Sequence, residues 1–302
     1  MIWIRQTVLM AAMSTIALAD QPNPASEQSL PAESGFLREE LRRSGLSALQ
    51  RQEIAFFYRV PIVFEELSKT VESKKERHAW EGVFARGTFV NGETVCICGD
   101  EFAIIHGVRD MGTATAVKGV VMLKSSRPIA PGATASKRKF QLISWGSRTY
   151  LVEPDRLIAF CNAVNDMSEP RQEITQGEFL LSRGVEGELP VQLPEVPDEF
   201  RKYLLRKQVE VRITSTRAET EERDVVGVNR TVKGHVCHIA GIRDTGLLAG
   251  MRLYSKSFEL GARGYITSIS NDEAEVIVFS ASQRLDAGDV LTTALWTEMR
   301  GK

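Results

Sequence analysis

Three changes of hydrophobic period divide the chain. Residues 20–34, DQPNPASEQSLPAES, have almost no apolar pattern and predict a flexible tether. From Phe36, FLREELRRSGLSALQRQEIAFFYRV places Leu49, Ile54 and Phe57 at helical spacing behind Ser47, a residue type that caps helix N-termini. The charged run EELSKTVESKKERHAW continues this character with a solvated face, so a helical segment is expected over 35–81.

At Gly82 the period becomes two. GVFARGTFVNGETVCICG sets Asn91-Gly92 between alternating runs, a hairpin signal because both residues tolerate positive φ. FAIIHG, KGVVML, KFQLISW and RTYLVE read as further strands, the last two joined at Gly146-Ser147. Pro154 then opens a helix, PDRLIAFCNAVND, where its missing N–H costs nothing, and GEFLLS closes the region as a strand. Residues 82–188 therefore read as a β-rich domain with one helix.

Pro190, Pro194 and Pro197 mark 189–198 as an extended linker. Beyond it, EFRKYLLRK predicts a short helix, and VEVRIT, TVKGHVCHIA, MRLYS, ARGYITSIS, EAEVIVFS and DVLTT predict strands separated by Gly-, Asp- and Asn-rich turns. Short strands at this density predict a small C-terminal barrel or sandwich over 199–302. The fold class expected is mainly β with α, an α+β arrangement in two domains preceded by a helical segment.

The N-terminus adds a compartment. MIWIRQTVLMAAMSTIALA carries Arg5 ahead of an apolar run from Val8 to Ala17 and ends in Ala17-Leu18-Ala19, the pattern of a secretory signal peptide over 1–19, with cleavage expected near Ala19. Its apolar core is about half the roughly 20 residues a membrane span needs, so no integral membrane span is expected. A periplasmic or secreted location follows. The formal net charge is −1, and losing Arg5 with the leader makes it −2, which gives no general pull toward nucleic acid or an anionic membrane.

An oxidising compartment leaves Cys96, Cys98, Cys161 and Cys237 open to three states, free, bridged or metal-bound. Buried free thiols are the simplest, since Cys packs as a small apolar group and an i,i+2 strand pair such as Cys96 and Cys98 is a poor bridge. GHVCHIAG, at 234–241, looks at first like a metal site. Strand alternation, however, puts His235 and Cys237 on one face and Val236 and His238 on the other, so both histidines cannot serve one ion. A mixed site of His235 and Cys237 with Cys96 and Cys98 is the remaining metal arrangement, and a Cys237-based nucleophile pair the remaining covalent one.

No HExxH, EF-hand, Walker or GxSxG pattern occurs, and there is no GxGxxG behind a strand. Neighbouring acids such as Glu153 with Asp155, or Asp272 with Glu273, are ordinary among 39 carboxylates, and Asp155 suits a helix N-terminus. SKRKF, at 136–140, is a compact basic patch most simply solvated, and Phe56-Phe57-Tyr58 an aromatic cluster most simply docked on the chain's own β domain. HGVRDMG at His106 and AGIRDTG at Ala240 share a turn-like core without aligned flanks. No catalytic, cofactor-binding or metal residue is assigned, and no cofactor is expected.

Two stretches carry resemblances. WGSRTYLVEPDRLIAFCNAVNDMSEPR, over about 145–171, resembles a segment of uncharacterised secreted bacterial proteins, which implies secretion and no particular activity. GIRDTGLLAGMRLYSKSFELGARGYITSISNDEAEVIVFS is similar to the β modules of envelope scaffolds of the rod-shape-determining MreC type, although this chain has neither the membrane helix nor the coiled coil of that family. That resemblance implies protein–protein assembly. The expected function is a non-catalytic exported envelope protein presenting β modules to a protein or envelope component, its oligomeric state open. An envelope-polymer hydrolase with an unrecognised site is the alternative.

Overall fold

The computed structural model describes residues 41–42, 45–87, 92–105, 108–168, 176–184, 190–225, 228–256, 263–279 and 285–294. The expected leader and tether, Asn91 of the expected hairpin turn, and His106 lie outside the described residues. The protein is mainly β, with strands arranged as β1-β2-β3-β4-β5-β6-β7-β8 in one closed barrel and β10-β13-β12-β11-β14-β9 in another. Two compact units divide it, one running to Leu142 and including Ser182–Gly184, the other comprising Ile143–Leu181 and the described residues from 190 onward.

In the first unit, α1 (Ala48–Ser73) starts where the sequence indicated. Gln50 N–H donates to Ser47 Oγ at 3.2 Å and Ser47 N–H to Gln50 Oε1 at 2.8 Å, a reciprocal capping box. The helix runs through Pro61, forfeiting one amide hydrogen bond, and packs Leu67 and Val71 on Cys96, Cys98 and Ala103. The helical character expected as far as Trp80 stops at Ser73. Lys74 turns extended, and residues 74–81 wrap around the buried Glu81 carboxylate instead of continuing the helix.

The strands of this unit are β1 (Gly82–Gly87), β2 (Glu93–Cys98), β3 (Glu101–Ile105), β4 (Asp110–Val117), β5 (Val120–Ser125) and the start of β6 (Lys137–Trp145), each antiparallel to the next. Phe84, Ile97, Phe102, Ile104 and Phe140 are buried among them. Strand β4 was not expected. DMGTATAV holds no run of large apolar residues, and only Ala114 of its alternating threonines and alanines is in the core.

In the second unit, β6 ends and β7 (Arg148–Val152) returns through Gly146, whose φ of +60° favours glycine. A 3-10 turn, Pro154–Arg156, leads into α2 (Leu157–Asn165), followed by β8 (Gln176–Ser182). Phe160 of α2 meets Tyr150 and Phe179 edge-on at centroid distances of 5.1 and 5.2 Å. The proline-rich stretch is held in place: Trp145 donates to Gln192 O, Glu195 N–H to Ser144 O at 2.9 Å, and Val196 enters the Phe160 core.

After the short helix α3 (Asp198–Arg201) come β9 (Glu210–Val225), β10 (Val228–Ala240), β11 (Arg252–Ser255), β12 (Arg263–Ser270), β13 (Glu273–Phe279) and β14 (Val290–Thr292). Of barrel and sandwich, the closed barrel is observed. Its core includes Val211, Ile213, Cys237, Ile239, Leu253, Val276, Val278 and Leu291. Strand β9 is far longer than VEVRIT suggested.

Candidate functional site

Strand β10 lies between β9 and β13, with Cys237 opposite Thr216 on one side and Val276 on the other. Cys237 and Ile239 are fully buried in the barrel core, His235 is half-buried and His238 is exposed. Burial, with a smaller contribution from the Asp289 charge, pushes the Cys237 thiol up to about 12. A thiol in that state is a poor nucleophile and a poor metal ligand. Among the described residues no group of three or more His, Cys, Asp or Glu is placed to hold an ion.

All four cysteines are free and buried. Cys96 and Cys98 face α1 in the first unit, where burial raises the Cys96 thiol to about 11. Above them a cleft of about 280 Å³ is lined by Glu65, Ser68, Glu72, Val83, Arg77 and Arg183, among others. Its charges are mixed, and Glu65 is engaged by Lys69 at 2.7 Å. Next to this region Glu81 accepts from Lys74 Nζ at 2.6 Å, Gly99 N–H at 2.7 Å and His78 N–H at 2.9 Å. Burial opposes the Glu81 charge, but these donors outweigh it and hold the carboxyl down to about 2. The carboxylate organises the turn after α1 and is not poised to exchange protons near neutrality.

The second unit has a polar centre of its own. Asn162 Nδ2 donates to Gly250 O at 2.9 Å, and Asn162 Oδ1 accepts from Arg252 N–H at 3.0 Å. One turn on, Asp166 Oδ2 accepts from both the Arg252 guanidinium and the Tyr254 hydroxyl. Asp166 caps the C-terminus of α2, where a negative charge opposes the helix dipole, and Arg252 offsets that penalty. Burial and the Asp166 charge push the Tyr254 hydroxyl well above its ordinary range. Asn165 adds a further tie, donating to Tyr203 O at 2.8 Å and accepting from Leu205 N–H at 2.9 Å. This is a clamp fastening α2 to β11. Its signal in the sequence was Asn162 and Asp166, four apart on a helix with few other polar residues, a spacing that places both on one face.

The remaining candidates serve the fold. Asp272 accepts from Arg243 N–H at 2.7 Å and ties the loop after β10 to the β12–β13 turn, while Glu273 sits in the ladder opposite Ala240. Asp155 lies in the first turn before α2, and Glu153 precedes it without a capping bond. Of the SKRKF patch, Arg138 pairs with Glu93, which also holds Arg86 at 2.7 Å. Phe56 is buried, and Phe57 lies under the Arg127 guanidinium at 4.8 Å, so this part of the aromatic cluster is used within the first unit; Tyr58 is exposed. In the two RD motifs, Asp110 opens a strand and accepts from Ser125 Oγ at 2.6 Å, whereas Asp244 is an exposed turn residue at φ +63°. The echo is therefore not a repeated structure.

One pair of strands in the second unit runs on past its neighbours in the sheet. Pairing of β10 with β13 begins at Gly234↔Phe279, and pairing of β9 with β14 ends at Val290↔Arg212. Beyond Gly234, β9 and β10 continue together through Thr220↔Lys233 to Val225↔Val228, six rungs in which, among the described residues, no third strand takes part. At about 3.4 Å per residue the ribbon is roughly 20 Å long. Comparisons of the chain with family models, curated proteins and solved structures returned no match.

Proposed function

We propose that this chain is a non-catalytic exported protein of the cell envelope that acts by presenting a β element to a partner, and that the element presented is the β9–β10 ribbon. The observation that carries this reading is the six-rung extension of β9 and β10 past their barrel neighbours. A two-stranded ribbon is marginal by itself, and both of its edges carry backbone N–H and C=O groups that a further strand satisfies. Strand addition is a general mode of protein recognition in which the main chain supplies affinity. The secretory pattern of residues 1–19 supports the compartment, and the similarity of residues 241–280 to MreC-type β modules supports assembly over catalysis.

The test is capture from an envelope extract with the purified mature chain as bait, beside a variant in which an Asn-Gly turn replaces residues 220–233. A defined component retained by the mature chain and lost with the ribbon supports the reading. Equal retention by both proteins, or hydrolysis of purified peptidoglycan with no component retained, overturns it, the latter in favour of an envelope-polymer hydrolase.

A further inference from the structure

Register and strand alternation set nine side chains in a grid on the outer face of β4, β5 and β6 in the first unit. One rung is Thr113, Lys124 and Lys137, the next Thr115, Met122 and Lys139, and the third Val117, Val120 and Gln141. Ala114, Val121, Leu123 and Phe140, between them in sequence, are buried on the opposite face. Helix α1 seats Leu67 and Val71 on other strands, at Cys96, Cys98 and Ala103, while Val117 is 67% and Met122 46% exposed.

Lys124, Lys137 and Lys139 are exposed as well, and the exposed Lys118 follows Val117 in the β4–β5 turn. Lys124 and Lys137 stand directly opposite each other, an unfavourable like-charge pair. Neighbouring carboxylates are engaged elsewhere: Arg86 and Arg138 hold Glu93, and Arg127 holds Glu53. Glu101 shares this face opposite Thr113, but it lies two strands from Lys124, about 10 Å at ordinary strand spacing. Four lysines against Glu101 leave the face at net +3, on a chain whose formal net charge is −1.

We infer that this face docks on an anionic lipid bilayer, with the lysine ammoniums among headgroup phosphates and Val117 and Met122 in the interfacial layer. The three strands lie within a closed barrel, so no edge is free here for strand addition and side chains alone make the contact. Lysine is a flexible point charge that suits a fluid array of phosphates and is depleted from protein–protein interfaces. A soluble polyanion would satisfy the lysines and leave Val117 and Met122 in water, whereas a bilayer takes both. The surface belongs to the first unit and does not depend on the β9–β10 ribbon.

Sedimentation of the mature chain with vesicles of phosphatidylcholine, alone or mixed with phosphatidylglycerol, tests this. Binding is expected only with phosphatidylglycerol, weakening as salt is added. A lysine near such a surface contributes about fivefold, so Lys124→Gln, Lys137→Gln and Lys139→Gln together should weaken binding about a hundredfold. The same charge removed elsewhere, by Lys75→Gln, Lys202→Gln and Lys207→Gln, should leave binding close to wild type. Val117→Ser with Met122→Ser should weaken it as well. All these side chains are exposed, so each variant should keep the wild-type thermal midpoint.

Absence of phosphatidylglycerol-dependent binding overturns the inference, and so does wild-type binding by the variant lacking Lys124, Lys137 and Lys139. Equal loss in the two lysine variants also overturns it, since net charge would then be the cause. Binding undiminished by Val117→Ser with Met122→Ser overturns the bilayer as occupant and puts an acidic macromolecule in its place.

Discussion

Asp166 and Arg252 form an ion pair in which the side chains are only 1% and 6% exposed, and the Tyr254 hydroxyl completes it. Such a pair adds little net stability, because both charges have been desolvated, but breaking it leaves one of them buried alone. Asp166→Ala is expected to cost about 3–5 kcal/mol in urea unfolding. Asp166→Asn, which keeps an acceptor for Tyr254, should lose less. Equal stability of Asp166→Ala and wild type would show that Arg252 finds another partner or water.

Asn162 contributes through two backbone groups, not through charge. Asn162→Ala strands Gly250 O and Arg252 N–H, both bonded to its side chain. Each buried group left unpaired costs about 1–3 kcal/mol, so the unfolding midpoint of this variant should fall clearly below that of an exposed control such as Glu199→Ala. In a double-mutant cycle Asn162→Ala and Asp166→Ala should be non-additive, since both act on Arg252.

What the sequence made legible was governed by local signals. Ser47 announces the start of α1, short apolar-rich runs announce β5, β7 and β11, and alternation announces β13. Strand β4 and the outer part of β9 escaped because neither has that alternation: β4 fills its inward positions with small residues, and STRAETEERDV has almost nothing apolar to bury. Their pairing is decided by neighbours distant in sequence or across a turn. The α2 clamp was invisible for a related reason. Asn162 and Asp166 are visible on one helix face, but their partner Arg252 lies 86 residues beyond Asp166, and no local pattern joins them. For GHVCHIAG, by contrast, alternation alone separated the two histidines; in the structure Cys237 and Ile239 enter the barrel core and His238 is exposed, while Val236, assigned to the same face as His238, is buried as well.

The thiols of Cys96, Cys161 and Cys237 are free, buried and raised to about 11, 12 and 12, in each case chiefly by burial. Thiolate is the reactive species, so iodoacetamide at mildly alkaline pH should label these three far more slowly in the native protein than in urea. Intact-mass spectrometry under non-reducing conditions should find no bridge. Rapid native alkylation of Cys237 would contradict its place in the barrel core.

Gly112 is required by close approach. A Cβ at this position would stand 2.1 Å from Lys124 O, a backbone atom of the paired strand β5 that cannot swing aside. Gly112→Ala should therefore force β4 and β5 apart and cost about 1–3 kcal/mol or more. Gly132→Ala, where a Cβ meets nothing within 4 Å, separates this clash from the backbone preference, because Gly132 has φ +85° and pays only the latter. A smaller loss at Gly112 than at Gly132 would place the clash elsewhere.

Glu81 gives the fold a pH dependence of definite sign. Its carboxyl titrates at about 2 in the folded chain, against 4.5 ordinarily, so the unfolded chain binds the proton more readily over that interval. Stability from Glu81 is fully present above the ordinary value and is lost as pH falls through about 2. A side chain this well enclosed by Lys74, His78 and Gly99 should account for roughly 2–3 kcal/mol of the loss between neutrality and strong acid. Glu81→Gln removes the titrating group, so its urea midpoint should lie below wild type at pH 7, and the gap should narrow as acid is added. A gap that stays constant over the whole range would mean that Glu81 acts by shape and hydrogen bonding alone, and that other carboxylates set the acid limit of this protein.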